Sequence, residues 1–564
     1  MLVTEQERLR EFVEAVVAHH GASRDQLIPI LLAVQDEYGW ISDFASQHIA
    51  DQLAIHASEV YGVATFYHFI NTRPKGRFVI RLSADMPSLM NGAEVIARQL
   101  ERDLGIAFGE TTADGLFTLE WTSCIGMNDQ APAMLINQAV FSALTPERVR
   151  QILDTCRQQL RAHRPICSET KETYVDGLSY AAYQAESALS KALQRTPQEV
   201  AAELEASGLR GLGGAGFPTG AKWRLVAEAE GETKYVVCNA DEGEPGTFKD
   251  RVTLERYAAL MCEGMTLAAY VTGAREGIIY LRWEYGYLRP QLEALLTARR
   301  EAGLLGCGIM GKAGFDFDIR IQMGAGAYVC GEETALLESL EGFRGEPRNR
   351  IPYPVDFGLH GQPTVVNNVE TFATTCLIVD RGAEWFTAMG TERSKGFKLL
   401  SVSGDCAKPG VYEVPWGTTV AGLLERVGGG GAKAVQVGGY AGHLVPAALF
   451  ERKIAYEEFG TSGSIIVYGP QRDLLVVAEN YLKFFVAESC GQCTPCRDGN
   501  AILLEGMQRL RQGRCTTDQL EQLIELGKSM QVASLCGLGQ SSPKILLDIA
   551  AHFKDEVMAR PIAA

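Results

Sequence analysis

The sequence predicts a multidomain α/β protein that closes in a helical domain built around a metal cluster. Three observations carry that expectation. At 564 residues the chain exceeds what a single hydrophobic core serves. Apolar strand patterns alternate with helical ones across its middle. Near the end, Cys490, Cys493 and Cys496 follow the spacing C-x2-C-x2-C, and 39 residues separate Cys496 from Cys536. Three thiolates two residues apart wrap one face of a metal centre and a distant fourth closes it, as in [4Fe–4S] sites. A four-cysteine zinc site is the alternative, although zinc usually draws its ligands as two separated pairs. A structural role for these cysteines is the third reading, disfavoured by the loop-forming Gly491, Pro495, Gly537 and Gly539.

Composition narrows the class. Lys+Arg 53 against Asp+Glu 69 gives a net charge of −16, which argues against nucleic acid as the main partner. No run of 18 apolar residues occurs to span a bilayer, and the start, Met1-Leu-Val-Thr-Glu-Gln-Glu-Arg, lacks signal-peptide character. Most of the fourteen cysteines sit singly in apolar settings (Cys262, Cys330, Cys376), so a reducing compartment, the cytoplasm, is expected.

Residues 4 to about 70 read as helices, with apolar residues recurring at three and four in Glu11-Phe-Val-Glu-Ala-Val-Val and Leu27-Ile-Pro-Ile-Leu-Leu-Ala-Val. The strand Gly76–Ser83, the helix Gly92–Leu104 and the strands Leu116–Trp121 and Ala133–Ile136 then suggest a small thioredoxin-type domain. Residues 146–164 read as an exposed helix, and the polar Ser168–Thr173 as a linker. Thr196-Pro-Gln-Glu199 is a helix start, with Thr196 as cap and Glu199 completing a capping box.

That helix runs into Gly211-Leu-Gly-Gly-Ala-Gly-Phe-Pro-Thr-Gly220, where Gly211, Gly213 and Gly216 match G-x-G-x-x-G. A dinucleotide fingerprint must follow a strand, so the ordinary version of that motif is rejected here. The bare backbone still lets a planar ring or a diphosphate approach closely. Phe217 and Lys222 add an aromatic face and a cation; a merely flexible loop is the plain alternative. The buried strand Lys234–Cys238 ends in Asn239, Asp241, Glu242 and Glu244, acceptors at a strand end where α/β folds meet ligands, or else a solvated acidic turn. Later the strand Phe315–Met323 enters Gly324-Ala-Gly-Ala-Tyr328-Val-Cys-Gly331-Glu332-Glu333-Thr334, which opens a helix. Backbone N–H groups there suit phosphate, though glutamates also favour a helix start for electrostatic reasons alone. Asn367 and Asn368 precede another helix. Residues 397 to about 470 read as a small β-grasp-like module without a catalytic grouping, and 475–555 as helices carrying the cluster cysteines.

The four stretches Gly208–Trp223, Cys238–Gly246, Gly326–Leu336 and Glu488–Arg497, in this order, closely resemble one family: the flavin-bearing, NADH-oxidising subunit shared by respiratory complex I, NAD-dependent formate dehydrogenases and NAD-reducing [NiFe] hydrogenases. The resemblance implies an FMN, an NAD(H) site stacked over it and one [4Fe–4S] cluster. By position, FMN would lie on Gly211, Gly213, Lys222, Asn239, Asp241, Glu242, Gly331, Glu332, Asn367 and Asn368. NAD(H) would meet Gly214, Ala215, Phe217, Glu244, Tyr328 and Glu333, with Glu244 and Glu333 as positioning rather than acid–base groups. The cluster would use Cys490, Cys493, Cys496 and Cys536. Leu212 stands where the family often has arginine. Implied domains are a helical segment (1–72), a thioredoxin-like domain (73–160), a linker (161–192), a Rossmann-like FMN- and NAD(H)-binding domain (193–395), a β-grasp-like domain (396–472) and a helical [4Fe–4S] domain (473–564).

Residues 1–160 resemble the family's thioredoxin-like partner subunit, which holds a [2Fe–2S] cluster with C-x4-C and C-x3-C. Here those positions read Ser83, Ser88, Cys124 and Asn128, so no [2Fe–2S] cluster is expected. A full-length fused domain with its cluster site lost is most similar to the large diaphorase subunit of NAD-linked hydrogenases. The implied partners are a small iron–sulfur diaphorase subunit and a [NiFe] hydrogenase heterodimer, since no further C-x2-C pair suits nickel. The expected chemistry is hydride exchange between nicotinamide C4 and FMN N5, with single electrons relayed through the cluster; the cofactor carries the reaction and the protein stacks the rings. A complex I or formate dehydrogenase equivalent, and a non-catalytic iron–sulfur scaffold, are the competing readings.

Overall fold

The computed structural model describes residues 4–162 and 164–558. Four helices lead in, Glu5–His20, Leu27–Tyr38, Asp43–Leu53 and Ala57–Ala64. Thr4 caps the first through a reciprocal pair with Glu7. The segment after the fourth helix leaves the bundle and lies on a distant glycine loop: the His68 and Phe69 N–H groups donate to the carbonyls of Gly326 and Ala325.

The thioredoxin-like sheet has β1 (Phe78–Ser83), β2 (Phe117–Thr122), β3 (Met134–Ile136) and β4 (Ala139–Phe141) in the order β2-β1-β3-β4. β1 runs parallel to β2 and antiparallel to β3, with Leu82 opposite Trp121 and Met134. The helices Ala93–Leu104 and Pro146–Ala162 close a separate core over it, including Ile80, Leu100, Val149 and Leu153. The second of these helices was expected to be exposed. Instead Val149, Ile152, Leu153 and Cys156 recur at helical spacing and bury one face, while Arg148, Arg150 and Arg157 line the others.

Within the expected linker, β5 (Val175–Asp176) already belongs to another sheet. The central domain is a four-stranded parallel sheet of β6 (Tyr235–Ala240), β7 (Glu276–Leu281), β8 (Asp318–Met323) and β9 (Thr364–Asn368), ordered β8-β7-β6-β9. The chain steps outward from β6 to β8 and then returns to the other side of β6. Strand order therefore reverses between β6 and β9, which opens a crevice beyond their carboxyl ends. The helices Ala258–Thr272 and Val369–Arg381, buried along most of their length, back this sheet. Gly264 lets the first approach the Phe372 backbone, where a Cβ would collide.

The third sheet joins β10 (Phe397–Gly404), β11 (Gly410–Pro415), β12 (Ala434–Val437), β13 (His443–Pro446) and β14 (Ser464–Tyr468) to β5, in the order β13-β12-β14-β10-β11-β5, with one helix, Val420–Val427. Residues 418–427, part of the stretch read as β-grasp-like, supply that helix; Thr419 caps it, its hydroxyl accepting from Gly422 N–H at 3.0 Å. The helices Leu474–Glu488, Thr494–Arg511, Thr517–Ala533 and Lys544–His552 form the last domain. Phe485, Leu503 and Ile549 are fully enclosed there, each contributing roughly 1.5–3 kcal/mol on folding.

Candidate cofactor and metal centre

The loop 211–217 connects the helices Pro197–Ala206 and Thr219–Glu228, so it follows a helix as its sequence context indicated. It is pinned from behind. Gly211 N–H donates to Phe217 O at 2.8 Å, Leu212 N–H to Thr371 Oγ1 at 2.9 Å, Arg210 Nε–H to Gly216 O at 2.6 Å, and Tyr456 Oη–H to Gly211 O at 2.9 Å. Leu212 turns into the core. Gly213, Gly214 and Ala215 stay exposed along the front. Gly213 lies so close to β9 that a Cβ would stand 2.9 Å from Asn368 Cβ, and Gly214 has φ +135°, a value L side chains rarely adopt.

Across the crevice, the segment after β6 meets the segment after β8. Asn239 Nδ2–H donates to Gly331 O at 2.9 Å, and Tyr328 Oη–H donates to Glu244 Oε2 at 2.5 Å. From β9, Asn367 Oδ1 accepts from Trp223 Nε1–H at 2.9 Å, and Asn368 Nδ2–H donates to Asp250 Oδ2 at 2.7 Å. Lys222 Nζ sits 2.9 Å from Glu333 Oε2 and 5.9 Å from the centre of the exposed Phe217 ring. The glycine loop, the acidic strand end, the Tyr328–Glu333 turn and the two asparagines thus line one cleft at the switch point. Burial pushes the Asp241 carboxyl up to about 8 and that of Glu244 up to about 7. Asp241 Oδ2 is buried without a hydrogen-bond partner. An acceptor left open beside bare backbone suits a planar ring with a hydroxyl-bearing side chain, so the residues fit a flavin nucleotide.

Two of the expected cofactor residues have their carboxylates engaged elsewhere. Glu242, buried, accepts from the Asp250 and Arg251 N–H groups at 2.8 and 3.1 Å and from Tyr285 Oη–H at 2.8 Å. Glu332 caps the helix Glu333–Leu340, accepting from Thr334 and Ala335 N–H.

The four cysteines stand beside this cleft. Cys493 stands at the start of the 18-residue helix Thr494–Arg511. Cys496 and Cys536 are buried, Cys490 and Cys493 partly so, and all four are free thiols. Cys490, Cys493 and Cys536 all act electrostatically on Cys496. Burial pushes the Cys496 thiol up to about 12, so its ionisation calls for a metal's positive charge. No three His, Cys, Asp or Glu side chains among the described residues close to single-ion spacing. Three cysteines at C-x2-C-x2-C with a distant fourth suit a multi-iron cluster better than a zinc ion, which usually takes two separated pairs. Cleft and cysteines are joined by Glu488, whose carboxylate accepts from Tyr328 N–H at 2.9 Å and pairs with His68 Nδ1 at 3.6 Å. Neither Glu488 nor Tyr456 stood out in the sequence as a site residue. Only the position of Glu488, two residues before Cys490, was a signal.

Three families match in succession: Thioredoxin-like [2Fe-2S] ferredoxin over residues 13–157, Nuo51 FMN-binding domain over 204–376, and NADH-ubiquinone oxidoreductase-F iron-sulfur binding region over 476–560. The alpha subunit of the NAD-reducing hydrogenase HoxS of Cupriavidus necator is 44% identical over 560 residues, covering 96% of this chain and 93% of that protein. The chain belongs to the family of NAD-reducing hydrogenase alpha subunits. A crystal structure of an NAD+-reducing [NiFe]-hydrogenase in the H2-reduced state superposes with a TM-score of 0.89 at 36% identity, covering 96% of this chain and 93% of that one. An NADH-quinone oxidoreductase subunit of Rhizobium meliloti is 42% identical over 66% of this chain and 91% of that protein.

As a member of this family of diaphorase subunits the chain is an NAD-linked oxidoreductase with FMN-binding and [4Fe–4S] regions, and it works with the other subunits of an NAD-reducing hydrogenase. No helix among the described residues is long and apolar enough to cross a membrane. The match over residues 13–157 is to a [2Fe–2S] family, which runs against the expectation that no such cluster binds. The fold brings the four positions in question together: Ser83, Ser88, Cys124 and Asn128 are all buried in one pocket, arranged around the carboxylate of Asp85. A single thiol among them is a poor donor set for that cluster.

Proposed function

We propose that FMN lies in the β6/β9 crevice, on Gly211, Gly213, Lys222, Asn239, Asp241, Gly331, Asn367 and Asn368, with Glu242 and Glu332 shaping the pocket from behind. NAD(H) enters over Gly214, Ala215 and Phe217 and meets Glu244, Tyr328 and Glu333. When bound, the flavin accepts or donates a hydride at the nicotinamide and passes electrons on singly. The chain's own residues do the positioning. Gly213 and Gly214 leave the backbone bare for ring approach to about 3–3.5 Å. Asp241 offers an unfilled acceptor, and Lys222 holds Glu333 at the cleft edge. Cys490, Cys493, Cys496 and Cys536 hold the [4Fe–4S] cluster, while Ser83, Ser88, Cys124 and Asn128 offer a single thiol within the region that matches the [2Fe–2S] family. Partners are a small iron–sulfur diaphorase subunit and a [NiFe] heterodimer in the cytoplasm.

The observation that carries this reading is the Glu488 bridge, which ties the Tyr328 turn to the loop of Cys490. The test is anaerobic titration of the purified complex with NADH. Bleaching of the FMN absorption, together with H2-dependent NAD+ reduction, is the expected result. An unbleached flavin, or reduction of NAD+ by formate in place of H2, would overturn it.

A further inference from the structure

The pocket at Ser83, Ser88, Cys124 and Asn128 is filled rather than eroded. Asp85, 4% exposed, sits at its centre. Its Oδ2 accepts from Ser83 Oγ–H at 2.5 Å, and its Oδ1 accepts from Ser88 N–H and from Asn128 Nδ2–H, both at 2.8 Å. The Cys124 thiol turns to Asn128 Oδ1 at 3.0 Å. Every former ligand position is thereby engaged in one hydrogen-bonded cluster.

Two lines of contact leave this cluster for the cofactor cleft. Along the first, Met86 N–H donates to Tyr440 Oη at 2.7 Å, and Tyr440 Oη–H donates to Asn480 Oδ1 at 2.6 Å. Asn480 Nδ2–H then returns to Ala84 O at 3.0 Å. The residue after Tyr440, Ala441, donates its N–H to Glu244 Oε1 at 3.1 Å, and Glu244 holds the Tyr328 hydroxyl. Along the second, Arg282 donates through Nη2–H to Cys124 O at 2.7 Å and through Nη1–H to Glu242 O. Arg251 Nε–H grips Gly126 O at 2.9 Å, while its own N–H donates to the Glu242 carboxylate. Gly126 admits the Tyr285 ring, which a Cβ would displace, and Tyr285 Oη–H reaches Glu242.

We infer that the old cluster pocket has been rebuilt as a polar anchor, with Asp85 as a positioning residue that sets Glu244 for NAD(H) through Tyr440 and Ala441. The inference rests on the placement of NAD(H) at Glu244. A buried, fully bonded network of this kind holds its neighbours to one geometry, and opening it at one end loosens the other.

The test uses the full-length, FMN-loaded chain with ferricyanide as electron acceptor, comparing wild type with Asp85→Ala, Asp85→Asn and Tyr440→Phe. Asp85→Ala is expected to raise KM for NADH by about three- to thirtyfold with kcat and FMN content near wild type. Asp85→Asn, which keeps an acceptor for Ser88 N–H, falls between, and Tyr440→Phe, which leaves the pocket's own bonds intact, raises KM in the same direction. Amide hydrogen exchange gives a readout independent of turnover: Asp85→Ala speeds exchange in peptides covering 84–88 and also 439–444. Unchanged KM with exchange faster only in 84–88 would overturn the inference. Should Asp85→Ala fail to fold, Tyr440→Phe decides alone on the same two measurements. Should wild type not oxidise NADH, the functional reading fails separately, and exchange at 439–444 still decides whether the anchor reaches Glu244.

Discussion

At the C-terminal end, Cys490, Cys493 and Cys536 stand on loops at helix starts and Cys496 in the first turn of the helix Thr494–Arg511, all four as free thiols. In the thioredoxin-like domain the corresponding pocket keeps one thiol, Cys124, and spends its remaining positions on hydrogen bonds to a carboxylate. The first pocket is partly buried and the second fully, and both touch the cleft, the first through Glu488 and the second through Arg282 and Tyr440. The difference is what each pocket can stabilise. Four thiols are soft ligands that a metal cluster can draw together, whereas Asp85 already has its oxygens satisfied by the protein. A fold match alone would treat the two pockets alike; the donor atoms separate them.

The two pockets should differ most in what loss of a cysteine does. Cys536→Ser is expected to lower H2-dependent NAD+ reduction by more than about 100-fold, exceeding the effect of losing a supporting contact around a metal, while NADH still bleaches the flavin. Retained H2-dependent turnover would show that electrons leave by another route. Next in size is Arg282→Leu. Arg282 and Glu284 are both nearly fully buried, 2.5 Å apart, and removing one partner of such a pair costs about 3–5 kcal/mol. Chemical denaturation reads this directly, and a loss below about 1 kcal/mol would mean that the pair is not enclosed. Gly213→Ala would force Asn368 aside and is expected to weaken FMN retention roughly tenfold, of the order of a small overpacking penalty; equilibrium dialysis of the flavin checks it.

The pH response sharpens the contrast further. Burial raises the carboxyls of Asp241 to about 8 and of Glu242 and Glu244 to about 7. The folded chain therefore binds these protons more tightly than the unfolded chain. The stability they contribute is whole below the ordinary carboxylate range and is lost as pH rises through about 7–8. The cofactor-free chain should accordingly melt lower at about pH 8.5 than at about pH 6. A higher melting temperature at the alkaline end would contradict the placement of these carboxyls. The smallest expected effect is Thr196→Ala, which removes a helix cap before the glycine loop and costs about 1 kcal/mol.

Much of this was legible in the residues. The strands flanking the cleft read as apolar runs ending in polar clusters, because buried parallel strands must be apolar while their carboxyl ends meet ligands. The bare glycine loop and the cysteine spacing are local patterns. What remained hidden was non-local. Lys249, Asp250 and Arg251 form a charged run that looks solvated, yet all three are buried. Lys249 pairs with Asp250 and Glu370, and Arg251 with Asp129, 122 residues away. No periodicity announces a charge whose partner lies in another domain. The two serines and the asparagine at the family's ligand positions showed what was missing, but Asp85, which fills the space, is an ordinary helix cap in sequence.

Whether iron sits only at the four C-terminal cysteines is read by counting iron and acid-labile sulfide per FMN in this subunit isolated anaerobically. About four of each is the predicted result, a single cubane. About six of each, with a second cluster signal that persists when Cys536 is replaced by Ser, would contradict the account.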